Sequence, residues 1–126
     1  LQGGSTNKYY HFTKAQHDAL MGGPTTSADA YHGHGISTTT KTGDYDIATT
    51  DFLIIAGGSS ALTLTLPSPT TITGKVYHIK KSSESGIPVT VDTTGAATID
   101  GQDSWVIMAQ YTTMSVFTNG TNWFII

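Results

Sequence analysis

LTLTL, residues 62–66, alternates leucine with threonine. Successive side chains of a strand point to opposite faces of a sheet, so the leucines share one face and the threonines share the other. Short apolar runs separated by turn residues recur on both sides of this stretch, at about the spacing of an all-β sandwich. We therefore predict strands at 45–49, 52–55, 62–66, 75–80, 89–91, 105–109, 114–118 and 123–126.

The turn residues between these runs agree with a sheet structure. Asn119-Gly120 is a strong signal for a tight hairpin, and it predicts that 114–118 pairs with 123–126. No segment of helical periodicity competes within residues 44–126. We therefore predict that residues 44–126 form an all-β head, a jelly-roll-like β-sandwich.

Three of the predicted strands are apolar on both faces: 52–55 (FLII), 105–108 (WVIM) and 123–126 (WFII). Isolated domains rarely expose large contiguous apolar patches, so a second apolar face needs a second partner. We expect that partner to be another copy of the chain, arranged around a three-fold axis. The alternative is that these are central strands whose outer faces are covered by loops.

Residues 1–22 combine an aromatic cluster at 9–12 with the signals of a short helix. Thr13 can cap the helix while Gln16 reaches back to it, and Gly22-Gly23-Pro24 ends it after about two turns. An isolated helix needs roughly 12 to 15 residues to be stable in water. The apolar side chains of this segment must therefore bury against something else, and identical segments of neighbouring chains are the economical partner.

Residues 23–43, GPTTSADAYHGHGISTTTKTG, contain almost no large apolar side chain. A stretch of this composition buries too little surface to hold a core. It is either a flexible linker or a thin extended shaft that is ordered by intertwining with other chains, and the sequence favours neither.

The composition excludes several classes of function. The 126 residues suit one modest domain with an appendage; 12% are charged, none is arginine, and the net charge is −3. The six lysines are scattered, so no basic patch for nucleic acid is present. No apolar run reaches the roughly 18 residues of a membrane span. The chain has no cysteine, which excludes disulfides and thiolate chemistry.

Both ends of the chain resemble bacteriophage proteins. LQGG followed by YYHFT-KAQHDAL resembles the LQGG…YYHLT…H segment of tail-fibre proteins of tailed bacteriophages. TGKVYHIKK, TIDG and the closing NGTNWFII resemble the small β domain of many phage fibre and virion structural proteins. These resemblances imply the C-terminal piece of a homotrimeric fibre that ends in a host-recognition head. The start at Leu1, without an initiator methionine, leads us to the same expectation.

His32-Gly33-His34 is the sharpest candidate for a metal site. Residues i and i+2 of an extended chain point to the same side, so in a parallel trimer three such pairs present six imidazole nitrogens around one point. Such a set suits one octahedral transition-metal ion per trimer, such as iron, and the tips and spikes of phages resemble this arrangement. The alternative is a pair of solvated histidines. We expect His11 and His17 to pack or cap locally, and His78 to be a satisfied core histidine inside an apolar strand.

Aromatic side chains are the candidates for stacking against sugars: Tyr77, Trp105, Tyr111, Phe117 and Trp123. The alternative role for each is packing in the core or at a subunit contact. Receptor contacts usually lie on loops of a rigid scaffold, so we expect them at 82–86, which includes Ser83 and Glu84, at 93–97 and at 57–60. Tyr111 is the least core-like of the aromatic residues.

Patterns of catalysis are absent from the sequence, which has no nucleophile elbow, zinc-protease motif or phosphate-binding loop. Asp44, Asp46 and Asp51 lie close together and could act as glycosidase acids, but acids at turns and strand edges are the simpler interpretation. Asn119-Gly120-Thr121 matches a glycosylation sequon, which the hairpin explains equally well. We therefore expect no enzyme activity.

Together these observations predict a phage tail-fibre tip that adheres as a homotrimer to a host surface receptor, a saccharide or an outer-membrane protein. It would be assembled in the host cytoplasm with upstream fibre proteins and would act outside the cell, as part of the virion. Three rivals remain: a structural connector or decoration domain without ligand, a polysaccharide depolymerase, and a bacterial trimeric adhesin. We expect neither nucleic-acid binding nor membrane insertion.

Overall fold

The computed structural model describes Ala15 and residues 36–126. Ala15, which lies within the predicted helix, is helical. The chain divides into two compact units between Gly35 and Ile36. Residues 36–126 are all-β, with a 3-10 helix at Pro69–Thr71 and nine strands: β1 Thr38–Lys41, β2 Tyr45–Asp46, β3 Leu53–Ala56, β4 Leu62–Leu66, β5 Val76–Lys81, β6 Val89–Thr93, β7 Ser104–Ile107, β8 Thr113–Thr118 and β9 Trp123–Ile125.

The strands form two sheets, and the first six strands alternate between them. One sheet has five strands in the order β1-β3-β5-β8-β9, and the other has four in the order β2-β4-β6-β7. Within each sheet the first three strands are parallel. The last strands add in antiparallel orientation: β7 on β6, β8 on β5 and β9 on β8. Strands β1 to β6 therefore form a short coil in which each turn contributes one strand to each sheet.

This topology corrects the jelly-roll-like prediction. A jelly roll consists of antiparallel Greek keys, whereas β1, β3 and β5 and also β2, β4 and β6 run parallel. Alternation along a strand shows which residues face a core, but it is the same for both kinds of pairing. The connections decide the pairing here. Because consecutive strands lie in opposite sheets, the chain returns to each sheet running in the same direction.

Each of the eight predicted strands overlaps an observed one, and 62–66 is reproduced without change, but 45–49 is strand only at Tyr45–Asp46. The predicted hairpin is also confirmed: β8 and β9 are antiparallel, and the Asn119 N–H donates to the Asn122 carbonyl at 3.3 Å. Gly120, in this turn, has a φ of 95°, which glycine adopts without strain. The sequence did not predict β1. It lies in the stretch expected to be shaft or linker, yet it pairs with β3.

One apolar core lies between the two sheets. Alternate positions of β3, β5 and β8 face it from one side, and alternate positions of β4 and β6 face it from the other. Its largest members are Trp123 and Tyr77, whose ring centroids are 5.6 Å apart. The Tyr77 hydroxyl donates to the Ala48 carbonyl at 3.1 Å, and burial raises the pKa of Tyr77 to about 12.

Asp51 connects β1, β2 and the turn after β2 through hydrogen bonds. Its buried carboxylate accepts hydrogen bonds from Thr39 Oγ1 at 2.8 Å, from the Tyr45 hydroxyl at 2.9 Å and from the Ala48 N–H at 2.9 Å. Burial acts to raise the pKa of Asp51, but these bonds and the charge of Lys41 outweigh it, so the pKa lies below its usual value. The ionised carboxylate therefore stabilises the fold.

Candidate functional site

Tyr111 is the most exposed aromatic residue among those that the structure describes, with 66% of its surface accessible. Its φ of 62° lies in the left-handed region, which is unfavourable for a residue with a Cβ atom. Two contacts hold this conformation: the Tyr111 N–H donates to the Lys81 carbonyl at 2.9 Å, and Lys80 Nζ donates to the Tyr111 carbonyl. Strain held in this way at an exposed aromatic residue points to a function.

Lys80 places a cation beside this ring. Its Nζ lies 6.0 Å from the centroid of the Tyr111 ring, which is the outer limit of a cation–π interaction. The alternation of β5 directs Lys80 outward and Lys81 inward. One strand therefore supplies both the charge beside the ring and the backbone carbonyl that holds it.

A cavity of about 410 Å³, here called the loop cavity, lies between two of the predicted receptor loops. It is lined by Gly58, Ser59, Ser82, Ser83, Glu84 and Ile87. Gly57 permits the close approach of the two loops, because a Cβ atom there would lie 2.1 Å from Ser82 Oγ. The backbone bond from the Ser82 N–H to the Ala56 carbonyl, at 2.7 Å, fixes the same approach.

The buried side chain of Lys81 holds the 82–86 loop from the inside by hydrogen bonds. Its Nζ donates to the Ser83 carbonyl at 2.8 Å and to the Glu84 carbonyl at 2.6 Å. Ser83 Oγ is buried and has no hydrogen-bond partner within the described part of the chain. The Glu84 side chain is exposed. The internal ammonium thus orders a loop whose outer surface carries hydroxyl and carboxylate groups.

Gln110 joins the loop cavity to Tyr111. Its backbone N–H donates to Ser85 Oγ at 3.2 Å, and its Nε2 donates to the Ser82 carbonyl at 3.2 Å. The turn that carries Tyr111 and the 82–86 loop are therefore one hydrogen-bonded unit. This unit combines an exposed ring, hydroxyls, a carboxylate and an ammonium, which are the groups that stack on and hydrogen-bond to polyhydroxylated ligands.

The structure separates the aromatic candidates into two groups. The prediction of Tyr77 as a receptor contact is wrong, because the side chain is fully buried in the core, and Trp123 is buried beside it. Phe117 is half-buried on the outer side of β8. Trp105 is 42% exposed on β7, where it lines a separate apolar groove.

Of the loop residues, Ser83 and Glu84 line the loop cavity together with residues of the 57–60 loop. Ser83 is only 4% exposed, which argues against a direct receptor contact by its side chain, whereas Glu84 is exposed. The third predicted loop, 93–97, lines a different cavity of about 440 Å³ with Ser68, Pro69, Thr70, Thr121 and Asn122. Sequence reasoning missed Lys80, Lys81 and Gln110. The one signal was the adjacent lysine pair at the end of an alternating strand, because one member of such a pair must face inward.

The acidic candidates have structural roles. Asp51 is buried in the hydrogen-bond network described above, and Asp44 Oδ1 accepts a bond from the Thr63 N–H at 2.7 Å. Asp46 lies on β2, beside Thr65 of β4. Both bonded carboxylates thus serve the fold rather than a cleft.

His32 and His34, the predicted metal ligands, lie outside the described residues, as do His11 and His17. Their roles stay predictions. His78 is hydrogen-bonded as expected, its Nδ1 to Ser115 Oγ at 2.7 Å. It is not a core residue, however: it lies half-buried on the outer side of β5, with its ring centroid 4.9 Å from that of Phe52. Within the described residues no group of three or more metal-binding side chains occurs. No helix there has the length and apolarity needed to cross a bilayer.

Comparison with known protein families gives no match for this chain, and comparison with curated proteins gives none either.

Proposed function

We propose that this chain is the receptor-binding end of a phage tail fibre and that it binds a host surface saccharide through Tyr111 and the loop cavity. The observation that carries the proposal is the exposed ring of Tyr111, held in a left-handed conformation on a turn that Gln110 joins by hydrogen bonds to the loop lining the cavity. The left-handed backbone of Tyr111 lowers the stability of the fold, and a ligand-binding role accounts for that cost. The resemblance of the two chain ends to phage fibre proteins supports the same function.

The proposed active form is a homotrimer. A single cavity of this size, with Ile87 as its one large apolar side chain, offers a saccharide few large apolar contacts, so each head would bind weakly. Three heads on one rigid fibre raise the effective concentration of each binding site and therefore the avidity. Host-surface polysaccharide, with its repeated units, is the ligand class that benefits most from this arrangement.

Replacing Tyr111 tests the proposal directly. Tyr111→Gly relieves the strained φ and removes the ring, so we expect unchanged or higher stability, by about 1 kcal/mol, together with loss of binding to host polysaccharide. Tyr111→Phe keeps the ring and should keep most of the binding. Glycan arrays and adsorption to host cells would measure binding, and thermal melting would measure stability.

If the chain has a purely structural role, the wild-type protein should bind no saccharide. If the wild-type trimer binds neither purified host polysaccharide nor host cells, the chain is a connector or decoration domain and the saccharide site is refuted. Release of new reducing ends from the polysaccharide would instead identify a depolymerase.

A further inference from the structure

Lys81 is a buried cation that pairs with backbone carbonyls rather than with a carboxylate. It is fully buried, and the alternation of β5 turns its side chain inward. Its Nζ donates to the Ser83 carbonyl at 2.8 Å and to the Glu84 carbonyl at 2.6 Å. Moving an ammonium group from water into a protein interior costs free energy unless other groups compensate it. Two carbonyl dipoles compensate it here, and the loop that supplies them lies at the surface.

The carbonyls that bind Lys81 fix the direction of the next two N–H groups. The described residues contain no cis peptide bond, and in a planar trans peptide the C=O and the following N–H point in opposite directions. The Ser83 and Glu84 carbonyls point at the buried ammonium, so the N–H groups of Glu84 and Ser85 point away from it. Residues 84–86 are exposed. These two N–H groups therefore lie on the solvent side of the loop.

The same two N–H groups are available as donors. Among the described residues, neither donates a hydrogen bond. The Glu84 carbonyl accepts from the Ile87 N–H at 3.3 Å, Gly86 has a φ of 89°, and the φ of Ser85 is not positive. These features define a type II turn over residues 84–87. Successive N–H groups in a turn form a concave site for anions, here called the 84–85 nest.

The buried ammonium strengthens the nest. A carbonyl that accepts a hydrogen bond from a cation polarises its own peptide unit, so the N–H on the other side of that unit becomes a better donor. Only one peptide unit separates Lys81 Nζ from each of the two N–H groups. The exposed carboxylate of Glu84 acts in the opposite direction, because it repels an anion and so limits the affinity.

The nest lies next to the proposed saccharide site. Ser85 Oγ accepts a bond at 3.2 Å from the N–H of Gln110, the residue that precedes Tyr111. Lys80 Nζ uses one of its three donors on the Tyr111 carbonyl, and it lies 6.0 Å from the centroid of the Tyr111 ring. A sugar stacked on this ring would therefore have backbone N–H groups and an ammonium beside it.

We propose that the 84–85 nest binds an oxyanion and that the saccharide recognised by this head is acidic, with a carboxylate or phosphate group seated in the nest. This inference rests on the proposed function and specifies the class of its ligand. Both groups suit the nest because each presents several acceptor oxygens to charge-assisted hydrogen bonds. Neutral sugars should bind more weakly than their acidic counterparts, because they leave the nest empty.

NMR of the backbone amides tests the nest directly. The probes are sodium glucuronate, glucose 6-phosphate, inorganic phosphate and glucose, added to the whole chain at constant ionic strength. We expect the amide signals of Glu84 and Ser85 to shift with the anions and not with glucose. A response to glucuronate alone would identify carboxylate as the preferred group, and a response to the two phosphates alone would identify phosphate. Equal shifts with glucose, or no shift with any anion, would overturn the inference.

Replacing Ser85 isolates one donor of the nest. Ser85→Pro removes its N–H at the second position of a type II turn, where proline is favoured. Ser85→Ala is the matched control, because both variants lose the hydroxyl and only Ser85→Pro loses the N–H. We expect Ser85→Pro to bind the responding anion about tenfold more weakly than Ser85→Ala, since a hydrogen bond to a charged group contributes about that factor. Equal affinities of the two variants would contradict the nest.

Glu84→Gln tests the opposing charge. It removes the carboxylate and keeps the backbone N–H, so the responding anion should bind more tightly than to the wild type. Weaker binding would show that the carboxylate itself contacts the ligand, and it would overturn the assignment of this loop to an anion.

The two proposals can fail separately. If the head binds host polysaccharide and binds its carboxyl-reduced and dephosphorylated form equally well, the saccharide site stands and the acidic class is refuted. If inorganic phosphate shifts the two amides but neither sugars nor host cells are bound, the proposed function is refuted together with the ligand class, and the nest remains as an anion site.

Discussion

Asp51 shows how one side chain can bind several segments of a small sheet protein. Its carboxylate accepts bonds from β1, from β2 and from the following turn, and all three would lose their acceptor if it were removed. A buried donor left without a partner costs about 1 to 3 kcal/mol. The network therefore links the first turn of the coil to a single ionisable group.

Asp51→Asn should lower the free energy of unfolding by about 2 kcal/mol at neutral pH, because an amide nitrogen then faces a donor. The wild-type carboxylate has a lowered pKa in the folded state. Its stabilisation is therefore present above the unfolded pKa and is lost as the pH falls through the folded pKa. Urea unfolding between about pH 7 and pH 3 should show a steeper acid loss in the wild type than in the variant. Parallel curves would contradict this role.

Tyr77 and Tyr111 show what the sequence could predict about single residues. In VYHIKK, Tyr77 shares its strand face with Ile79, so burial of Tyr77 could have been predicted from alternation alone. Tyr111 lies outside any alternating run, and its exposure agrees with the prediction. Its strained backbone depends on contacts with Lys80 and Lys81, which are distant in sequence, and no local pattern reveals it.

For the strands, alternation of apolar and polar residues predicted where each strand lies in the sequence, but not which strand it pairs with. β4 and β8 were located because their patterns of burial are set by neighbours in sequence. Parallel pairing could not be predicted, because it depends on which sheet each connection reaches. β1 escaped detection because an edge strand of threonines and a lysine needs few buried side chains.

Gly57 is the position where two loops of the candidate site depend on the absence of a side chain. Gly57→Ala places a Cβ 2.1 Å from Ser82 Oγ, so this hydroxyl must rotate and give up its bond to the Ala56 carbonyl, and we expect a loss of about 1 kcal/mol. Ser82→Ala removes the same bond, so the double variant should be no less stable than Ser82→Ala alone. Thermal unfolding of the two single variants and the double variant would measure the coupling.

Gly43→Ala is the matched control for Gly57→Ala. No atom lies within 4 Å of its added Cβ, and its φ is not positive. We expect a change within about 0.5 kcal/mol. Equal losses at Gly43 and Gly57, or a further loss when Gly57→Ala is added to Ser82→Ala, would show that displacement of the Ser82 hydroxyl is not the cause.

For the whole molecule, the His32-Gly33-His34 prediction concerns the assembled trimer rather than one chain. If three chains share an axial transition-metal ion, His32→Ala with His34→Ala should reduce the bound metal from one ion per trimer to none. The melting temperature should fall as well, because a ligand bound only by the native assembly stabilises it. Elemental analysis coupled to light scattering measures metal and mass together. Unchanged metal content and melting temperature would refute the site.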